Sequence, residues 1–260
     1  MSNSNFNKSA TALLTIVRKE VVRFFRIWPQ TILPSAITMS LYYVIFGNLI
    51  GNRIGRMGDV PYIQYIAPGL VMMAVITNSY SNVVASFFSS KFQRYIDELI
   101  ISPTPNYIIL LGYISGGIAR GCTVGFIVVI ISIFFTSFKI DSIAITVSVV
   151  FLSSLLFSLA GLINGIFARK FDDVSIIPTF VLTPLTYLGG VFYSIALLPP
   201  FWEKISQANP IFYMINAFRH GMIGKSDVEI APAFIIIIVI TTVLFISALA
   251  LLNKGIGVKQ

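Results

Sequence analysis

The chain has 260 residues, of which 56% are hydrophobic and only 11% are charged, and its formal net charge is +8. A soluble domain of this size would lack the polar surface it needs, so the composition excludes an ordinary soluble enzyme or binding module. The Lys and Arg residues flank long apolar segments, where they meet anionic lipid headgroups. We therefore exclude a nucleic-acid partner.

Six mostly apolar segments are each close to the length of about 20 residues that a helix needs to cross a bilayer. The predicted spans are residues 30–50, 62–88, 107–135, 143–167, 174–192 and 231–252. They predict an all-α polytopic membrane protein, because helices satisfy every backbone polar group inside lipid. The membrane domain is residues 30–253, between an N-terminal helix at 1–29 and a tail at 254–260, and we expect no cleavable signal sequence.

The distribution of Lys and Arg predicts which side each connection faces. With the N-terminus inside, eleven basic residues fall in cytoplasmic segments and six in external ones, while Arg120 lies within a span. Cytoplasmic connections carry the excess of positive charge in membrane proteins, so both termini are predicted to be cytoplasmic.

Residues 9–28 have the pattern of an amphipathic helix on the inner membrane surface. The apolar side of the helical wheel carries Leu13, Leu14, Val17, Val21, Phe24, Phe25 and Trp28, and the opposite side carries Arg18, Lys19, Arg23 and Arg26. Pro29 is expected to end this helix before the first span. A plain lipid anchor is favoured over a dedicated protein-binding surface, and both roles are compatible.

The connection between the second and third spans, residues 91–105, is more amphipathic than a linker needs to be. Apolar side chains recur at helical spacing, Arg94 and Glu98 are four residues apart, and Pro103 and Pro105 end the helix. This pattern favours a docking surface for a soluble partner. A connector that lies on the membrane surface explains the periodicity equally well.

Arg120 is the charged residue of the third span, where insertion costs about 2.5–3.5 kcal/mol. The ten acidic residues lie outside the predicted spans, so none is expected to neutralise it. Arg120 either faces a cavity or dimer interface and attracts an anionic group, or, as we favour, it bonds to backbone carbonyls at a helix contact. The nearby Gly117 and Gly121 predict close helix packing.

Residues 195–224 are too apolar for a solvated loop, yet Pro199, Pro200 and Pro210 divide them into pieces too short to cross the bilayer. Such backbone is tolerated at membrane depth only where other protein buries it. We therefore predict a re-entrant helical hairpin that enters from outside.

The same region resembles the signature of the ABC-2 type transporter permeases. The residues that carry the resemblance are Leu188, Gly189, Gly190, Phe192, Tyr193, Pro199, Pro200, Asn209, Pro210 and Arg219. Further resemblance lies at residues 46–51, 92–94, 168–173 and 177–187 and covers almost the whole chain.

This resemblance implies a half-transporter of the bacterial inner membrane, with six spans, an N-terminal interface helix, a cytoplasmic coupling helix and the external hairpin. Such permeases pair as homodimers and bind two separate ATP-binding-cassette ATPase subunits, which would hold ATP and Mg. By position, the coupling helix would be residues 91–102, with Lys91, Arg94, Tyr95, Asp97, Glu98 and Ser102 at the ATPase. Arg169, Asp172 and Asp173 would form a second cytoplasmic contact.

No catalytic, cofactor or metal site is expected in this chain. Gly224, Lys225 and Ser226 resemble the end of a P-loop, but Arg219 stands where the first glycine is needed. His220 is the only histidine. The favoured function is an exporter permease for lipid-like, glycolipid or drug-like cargo. The alternative is an ion-coupled secondary transporter or a channel, which the lack of intramembrane acids disfavours.

Overall fold

The computed structural model describes residues 2–137 and 140–257 of the chain. Five helical stretches in this part are long and apolar enough to cross a membrane. They are Trp28–Ile54, Tyr62–Phe92, Asn106–Phe135, Ile143–Phe167 and Ile230–Lys254. These stretches coincide with predicted spans one, two, three, four and six, and the all-α polytopic fold class is confirmed.

The first of these stretches is preceded by α1 (Ser2–Arg26) and is not a regular helix. It consists of α2 (Trp28–Thr31), α3 (Leu33–Tyr42), a π-helical segment (Tyr43–Ile50) and α4 (Gly51–Ile54). Two short antiparallel strands follow, β1 (Arg56–Met57) and β2 (Val60–Pro61), with Met57 opposite Val60.

The central helix of the fold is α5 (Tyr62–Phe92). In its most apolar stretch 78% of the residues are buried, against at most 39% in the other four long stretches. It packs along α7 (Asn106–Phe135) and α8 (Ile143–Phe167), and the short α6 (Tyr95–Ile101) follows it on one side. Helix α13 (Ile230–Lys254) packs on the other face of α8.

Glycines allow these helices to approach each other closely. A Cβ atom at Gly161 of α8 would lie 2.5 Å from the carbonyl oxygen of Tyr80 in α5. Gly121 of α7 faces the hydroxyls of Ser79 and Ser154, and Gly117 faces Val83 and Ser158. Gly117 and Gly121 therefore lie at the junction of α5, α7 and α8.

The fifth predicted span, residues 174–192, differs most from its expected form. It is built from α9 (Phe171–Ile177), a π-helical segment (Pro178–Leu182) and α10 (Thr183–Leu188), and it is not among the five long apolar stretches. The helix ends before residue 192 because Gly189 and Gly190 form a turn, with φ of +77° at Gly190.

Residues 195–224 form a 3₁₀ turn (Ile195–Leu197) and two short helices, α11 (Pro200–Gln207) and α12 (Pro210–Ile223). Most side chains of α12 are buried, and the helix packs against α5, α8 and α13. The predicted hairpin therefore consists of two short helices, of which α12 is covered by other protein, whereas α11 is mostly exposed. The side from which it enters the membrane stays a prediction.

The N-terminal helix buries one face against the protein and leaves much of its apolar side exposed. Ile16, Glu20 and Phe24 are buried along α7, whereas Leu14, Phe25 and Trp28 are exposed. The exposed apolar side chains leave the predicted lipid anchor standing as a prediction, while the polar Glu20 finds its partners inside the bundle. Helix α1 also ends at Arg26, ahead of Pro29, which lies within α2.

Candidate functional site

The predicted coupling helix is shorter than residues 91–102, and Lys91 lies outside it. Helix α5 continues to Phe92, and α6 begins only at Tyr95. The ammonium of Lys91 donates to the carbonyl oxygens of Ile166 at 2.6 Å and Ala168 at 2.8 Å. Lys91 therefore caps the end of α8, where carbonyls lack helical partners, and its assignment to the ATPase surface stays a prediction.

A tight turn at Arg94 separates α5 from α6. Arg94 has φ of +64°, the left-handed conformation that side chains seldom adopt, and it is the only described non-glycine residue with positive φ. This places Arg94 before the first turn of α6, and within the described chain no ion pair joins it to Glu98. The predicted helical pair is therefore absent.

Helix α6 buries one face and exposes the other. Ile96 is buried in an apolar cluster with Phe87 and Tyr113, whereas Tyr95 and Glu98 are exposed and Asp97 is half-buried. At its end, the hydroxyl of Ser102 donates to the carbonyl of Leu99 at 2.6 Å. Ser102 thus caps the helix.

The second predicted cytoplasmic connection, between α8 and α9, is ordered by Asp173 at the start of α9. Its carboxylate accepts from the backbone N–H groups of Arg169 at 2.9 Å and Lys170 at 3.3 Å. These hydrogen bonds, chiefly the one from Arg169, hold the pKa of Asp173 below its ordinary value, because they favour the ionised form. The exposed Asp172 lies 3.9 Å from the ammonium of Lys170.

An aromatic cluster joins the α5–α6 connection to the α8–α9 connection. The ring of Phe171 lies 5.0 Å from Phe88 and 5.0 Å from Phe92, measured between centroids. Phe92 and Phe171 each expose 60% of their surface, and Tyr95 and Ile101 of the following helix α6 are exposed as well. We call Phe92, Tyr95, Ile101 and Phe171 the aromatic patch. Arg94, Glu98 and Arg169 are exposed charged residues of the same two connections.

Arg120 lies at a junction of three helices. Its guanidinium donates to the side-chain oxygen of Asn78 in α5 at 2.9 and 3.1 Å and to the carbonyl of Thr31 in α2 at 3.1 Å. Side-chain amide and backbone oxygens thus take its hydrogen bonds. Asn78 as a partner was not foreseen from the sequence.

The signature residues between Leu188 and Arg219 form one connected structure. Arg219 is fully buried and donates to the carbonyl oxygens of Gly190 at 2.6 Å and Tyr65 at 3.3 Å. Asn209 caps α12 by accepting from the N–H of Ile211 and donates to the carbonyl of Leu185 at 2.6 Å. These contacts tie the hairpin to α10 and α5.

The other signature residues surround this structure. Leu188 ends α10, Gly189 is buried in the turn, and Phe192 packs 4.5 Å from Phe46 of the first stretch. The remaining members begin or precede the short helices or lie between them: Tyr193, Pro199, Pro200 and Pro210.

A group of buried polar contacts on α5 was missed by the sequence interpretation. Ser86 donates to the carboxylate of Glu20 in α1 at 2.7 and 2.8 Å, and Asn82 accepts from Arg23 at 3.0 Å. Glu20 is fully buried, so an acid does lie among the membrane helices. The four-residue spacing of Asn78, Asn82 and Ser86 was the signal that could have revealed this group.

Comparison with known protein families decides the class of this structure. The family model for the ABC-2 type transporter matches residues 11–223, most of the chain. The chain belongs to the ABC-2 type transporter family.

Individual relatives agree with the family. The inner membrane transport permease YadH of Escherichia coli strain K12 is 52% identical over 249 residues, which cover 96% of this chain and 97% of that protein. Nodulation protein J of Neorhizobium galegae is 21% identical over 212 residues, 81% of each chain. Nodulation protein J of Sinorhizobium fredii is 21% identical over 216 residues, 83% of this chain and 82% of that protein.

The ABC-2 family and the helical architecture together establish a multi-pass permease of the bacterial inner membrane. Such a permease is the non-enzymatic membrane subunit of an ABC transporter and works with an ATP-binding-cassette partner. Within the described residues, no group of three metal-binding side chains is present.

Proposed function

We propose that this chain is the permease of an ABC exporter that forms a homodimer and carries two separate ATPase subunits on its cytoplasmic surface. The observation that carries the proposal is the contact between Phe92 and Phe171, which joins the two cytoplasmic connections into one surface. A soluble partner that binds this surface would contact the end of α5, helix α6 and the start of α9 together.

The aromatic patch has the composition of a docking site. Exposed aromatic and aliphatic side chains at the centre and charged side chains at the rim are typical of protein interfaces. Arg94, Asp97 and Glu98 on one connection and Arg169 and Asp172 on the other provide that rim. The proposed ATPase contacts are therefore the residues that the family resemblance implied, without Lys91 and with Phe92, Ile101 and Phe171 added.

The helices of residues 171–188 support a pathway between two copies. Their exposed surface carries Ser175, Thr179 and Thr183, one hydroxyl at every fourth position. Polar side chains in a membrane segment rarely face lipid, so this face is expected to line a hydrated pathway or a second copy. Exposed Phe180 and Val181 lie beside the hydroxyls, and this mixture suits amphipathic cargo of the lipid-like, glycolipid or drug-like class.

The distribution of basic residues supports an inward-facing aromatic patch and cytoplasmic termini. Lys91, Arg94, Arg169 and Lys170 flank the patch. Two of the counted residues, Lys139 and Lys259, lie outside the described part of the chain. ATP and Mg are assigned to the ATPase subunits, and no cofactor to this chain.

The test is co-purification of the tagged permease with an ATP-binding-cassette protein from its native bacterium. We expect the wild-type permease to bring down the ATPase in equal amounts as a complex of two permeases and two ATPases, measured by mass photometry in nanodiscs. Reversing Asp97 and Glu98 to Lys, or replacing Phe171 by Ala, should remove the ATPase while membrane insertion persists.

Glu203→Lys in α11 is the matched control, because it reverses an acidic residue of the predicted external hairpin. It should leave ATPase binding unchanged. Normal co-purification with the D97K/E98K variant would contradict the docking assignment. A wild-type monomer that transports solute without any ATPase would contradict the whole proposal.

A further inference from the structure

Helix α5 carries a row of three buried polar side chains, and each holds a charged residue from another helix. Asn78 binds Arg120 of α7, Asn82 binds Arg23 of α1, and Ser86 binds Glu20 of α1. Because the three are four residues apart, they lie on one face of α5. We call these six residues the α5 polar ladder: Glu20, Arg23, Asn78, Asn82, Ser86 and Arg120.

The α1 end of the ladder is unusually well enclosed. Glu20 has no exposed surface, and its carboxylate accepts from Ser86 and from Arg23, whose guanidinium lies 3.2 Å away. A Cβ atom at Gly116 of α7 would lie 2.7 Å from Cβ of Glu20. The absence of a side chain at Gly116 therefore leaves the space in which Glu20 packs between α5 and α7.

A buried ion pair of this kind contributes little net stability compared with well-packed apolar side chains, because desolvation offsets most of the attraction. Its directional hydrogen bonds nevertheless fix one relative position of two helices. Arg23 adds a second such bond, since its Nη2 contacts both the backbone and side-chain oxygens of Asn82, at 3.2 and 3.0 Å. The ladder therefore defines the register of α1 on α5.

The ladder ends close to the aromatic patch. Ser86 precedes the end of α5 at Phe92 by six residues, about 9 Å along a helix that rises 1.5 Å per residue. Only Gln93 and Arg94 separate α5 from α6, and Ile96 of α6 is buried beside Phe87. A displacement of α6 is thus passed directly to the part of α5 that holds α1.

We propose that the Glu20–Ser86 and Arg23–Asn82 contacts are the joint through which movement of the α5–α6 end is passed to the N-terminal helix. Glu20, Arg23, Asn82 and Ser86 are then positioning residues for transport. The inference rests on the proposed function, since it takes the ATPase to act on α6. It adds that α1 moves with α5 as one unit.

The experiment uses the full permease–ATPase complex in nanodiscs, with Ser86→Ala and Glu20→Gln singly and together. Both substitutions are small and suit a helix. The readouts are ATPase binding, thermal unfolding, and the stimulation of ATP hydrolysis by the permease relative to the free ATPase. We expect ATPase binding to be unchanged and the stimulation to fall about five- to tenfold, the common range of coupling between sites.

The double variant provides the readout that a purely structural role would not move. If both residues act through their shared bond, S86A/E20Q should lose no more stimulation than either single variant. Arg18→Gln is the matched control, because Arg18 is an exposed basic residue of the same helix outside the ladder, and it should retain full stimulation.

Full stimulation in folded, ATPase-bound S86A and E20Q complexes would overturn the joint while leaving the proposed function standing. A wild-type permease that binds no ATPase would remove the proposed function and the joint together. If the E20Q variant unfolds, the S86A variant alone tests the joint, since it removes a single hydroxyl.

Discussion

Arg219 lies over the ring of Tyr65, with its guanidinium carbon 3.9 Å from the ring centroid, and it is fully buried. The same guanidinium bonds to the carbonyl oxygens of Tyr65 and Gly190 and to the side-chain oxygen of Asn216. Asp227, 4.0 Å away, balances its charge and accepts from the hydroxyl of Tyr65 at 3.1 Å. One side chain thus fixes the hairpin, the Gly189–Gly190 turn and α5 relative to each other.

Replacing Arg219 by Leu should destabilise the protein by about 3–5 kcal/mol, because it leaves Asp227 without its buried partner and two carbonyls without a donor. The measurement is thermal unfolding of the purified protein in detergent. Lys204→Leu, at an exposed position of α11, should change the unfolding temperature little. Equal effects of the two substitutions would show that the Arg219 contacts carry no stability.

Gly161→Ala should destabilise the contact between α8 and α5 by about 1–3 kcal/mol, because the new methyl would meet backbone at Tyr80, which cannot move aside. Gly165→Ala on the same helix is the matched control. Its methyl would meet the Phe87 side chain at 3.2 Å, and the better helix propensity of Ala offsets this contact. Yield and thermal unfolding of the two variants should differ clearly.

Lys91→Met should lower stability by about 1.5–3 kcal/mol, since the carbonyls of Ile166 and Ala168 lose a charged donor. Its effect should differ in kind from that of D97K/E98K. At a temperature where the variant is folded, ATPase co-purification should stay normal. If a fully stable K91M protein lost only its ATPase binding, that result would show that Lys91 contacts the ATPase.

Arg120→Gln should lower the unfolding temperature, because Asn78 and the Thr31 carbonyl lose their charged donor. Transport per folded molecule should be preserved, as expected of a residue that serves a helix contact. The measurement is cargo export in vesicles, normalised to folded protein. Complete loss of export from well-folded protein would instead place Arg120 on the cargo path.

The sequence predicted those features that depend on hydrophobic length. Five spans and the proline-divided region after residue 195 were recognisable, because a bilayer demands apolar helices of fixed length. The fifth predicted span could not be bounded in this way. Its limits depend on the backbone turn at Gly189 and Gly190 and on carbonyls freed by Pro178 and Pro184, which hydropathy does not report.

The candidate site was predicted less well, because its contacts join residues far apart in the chain. Phe92 and Phe171 meet across the ends of two helices, and Lys91 caps a third, so neither partner could be inferred from local spacing. Glu20 was misjudged for the same reason. It was counted among the acids outside the predicted spans, whereas its partner Ser86 on α5 lies 66 residues further along the chain.

The π-helical segments at Tyr43–Ile50 and Pro178–Leu182 set the rotation of the residues that follow them about the helix axis. Each holds more residues per turn than an α-helix, and in an α-helix every residue advances the chain by about 100°. Expelling one residue from such a segment would turn all that lies beyond it by about that angle relative to the residues before it. A turn of this kind after Leu182 would carry Tyr187 and Phe192 away from Tyr42 and Phe46, which they contact.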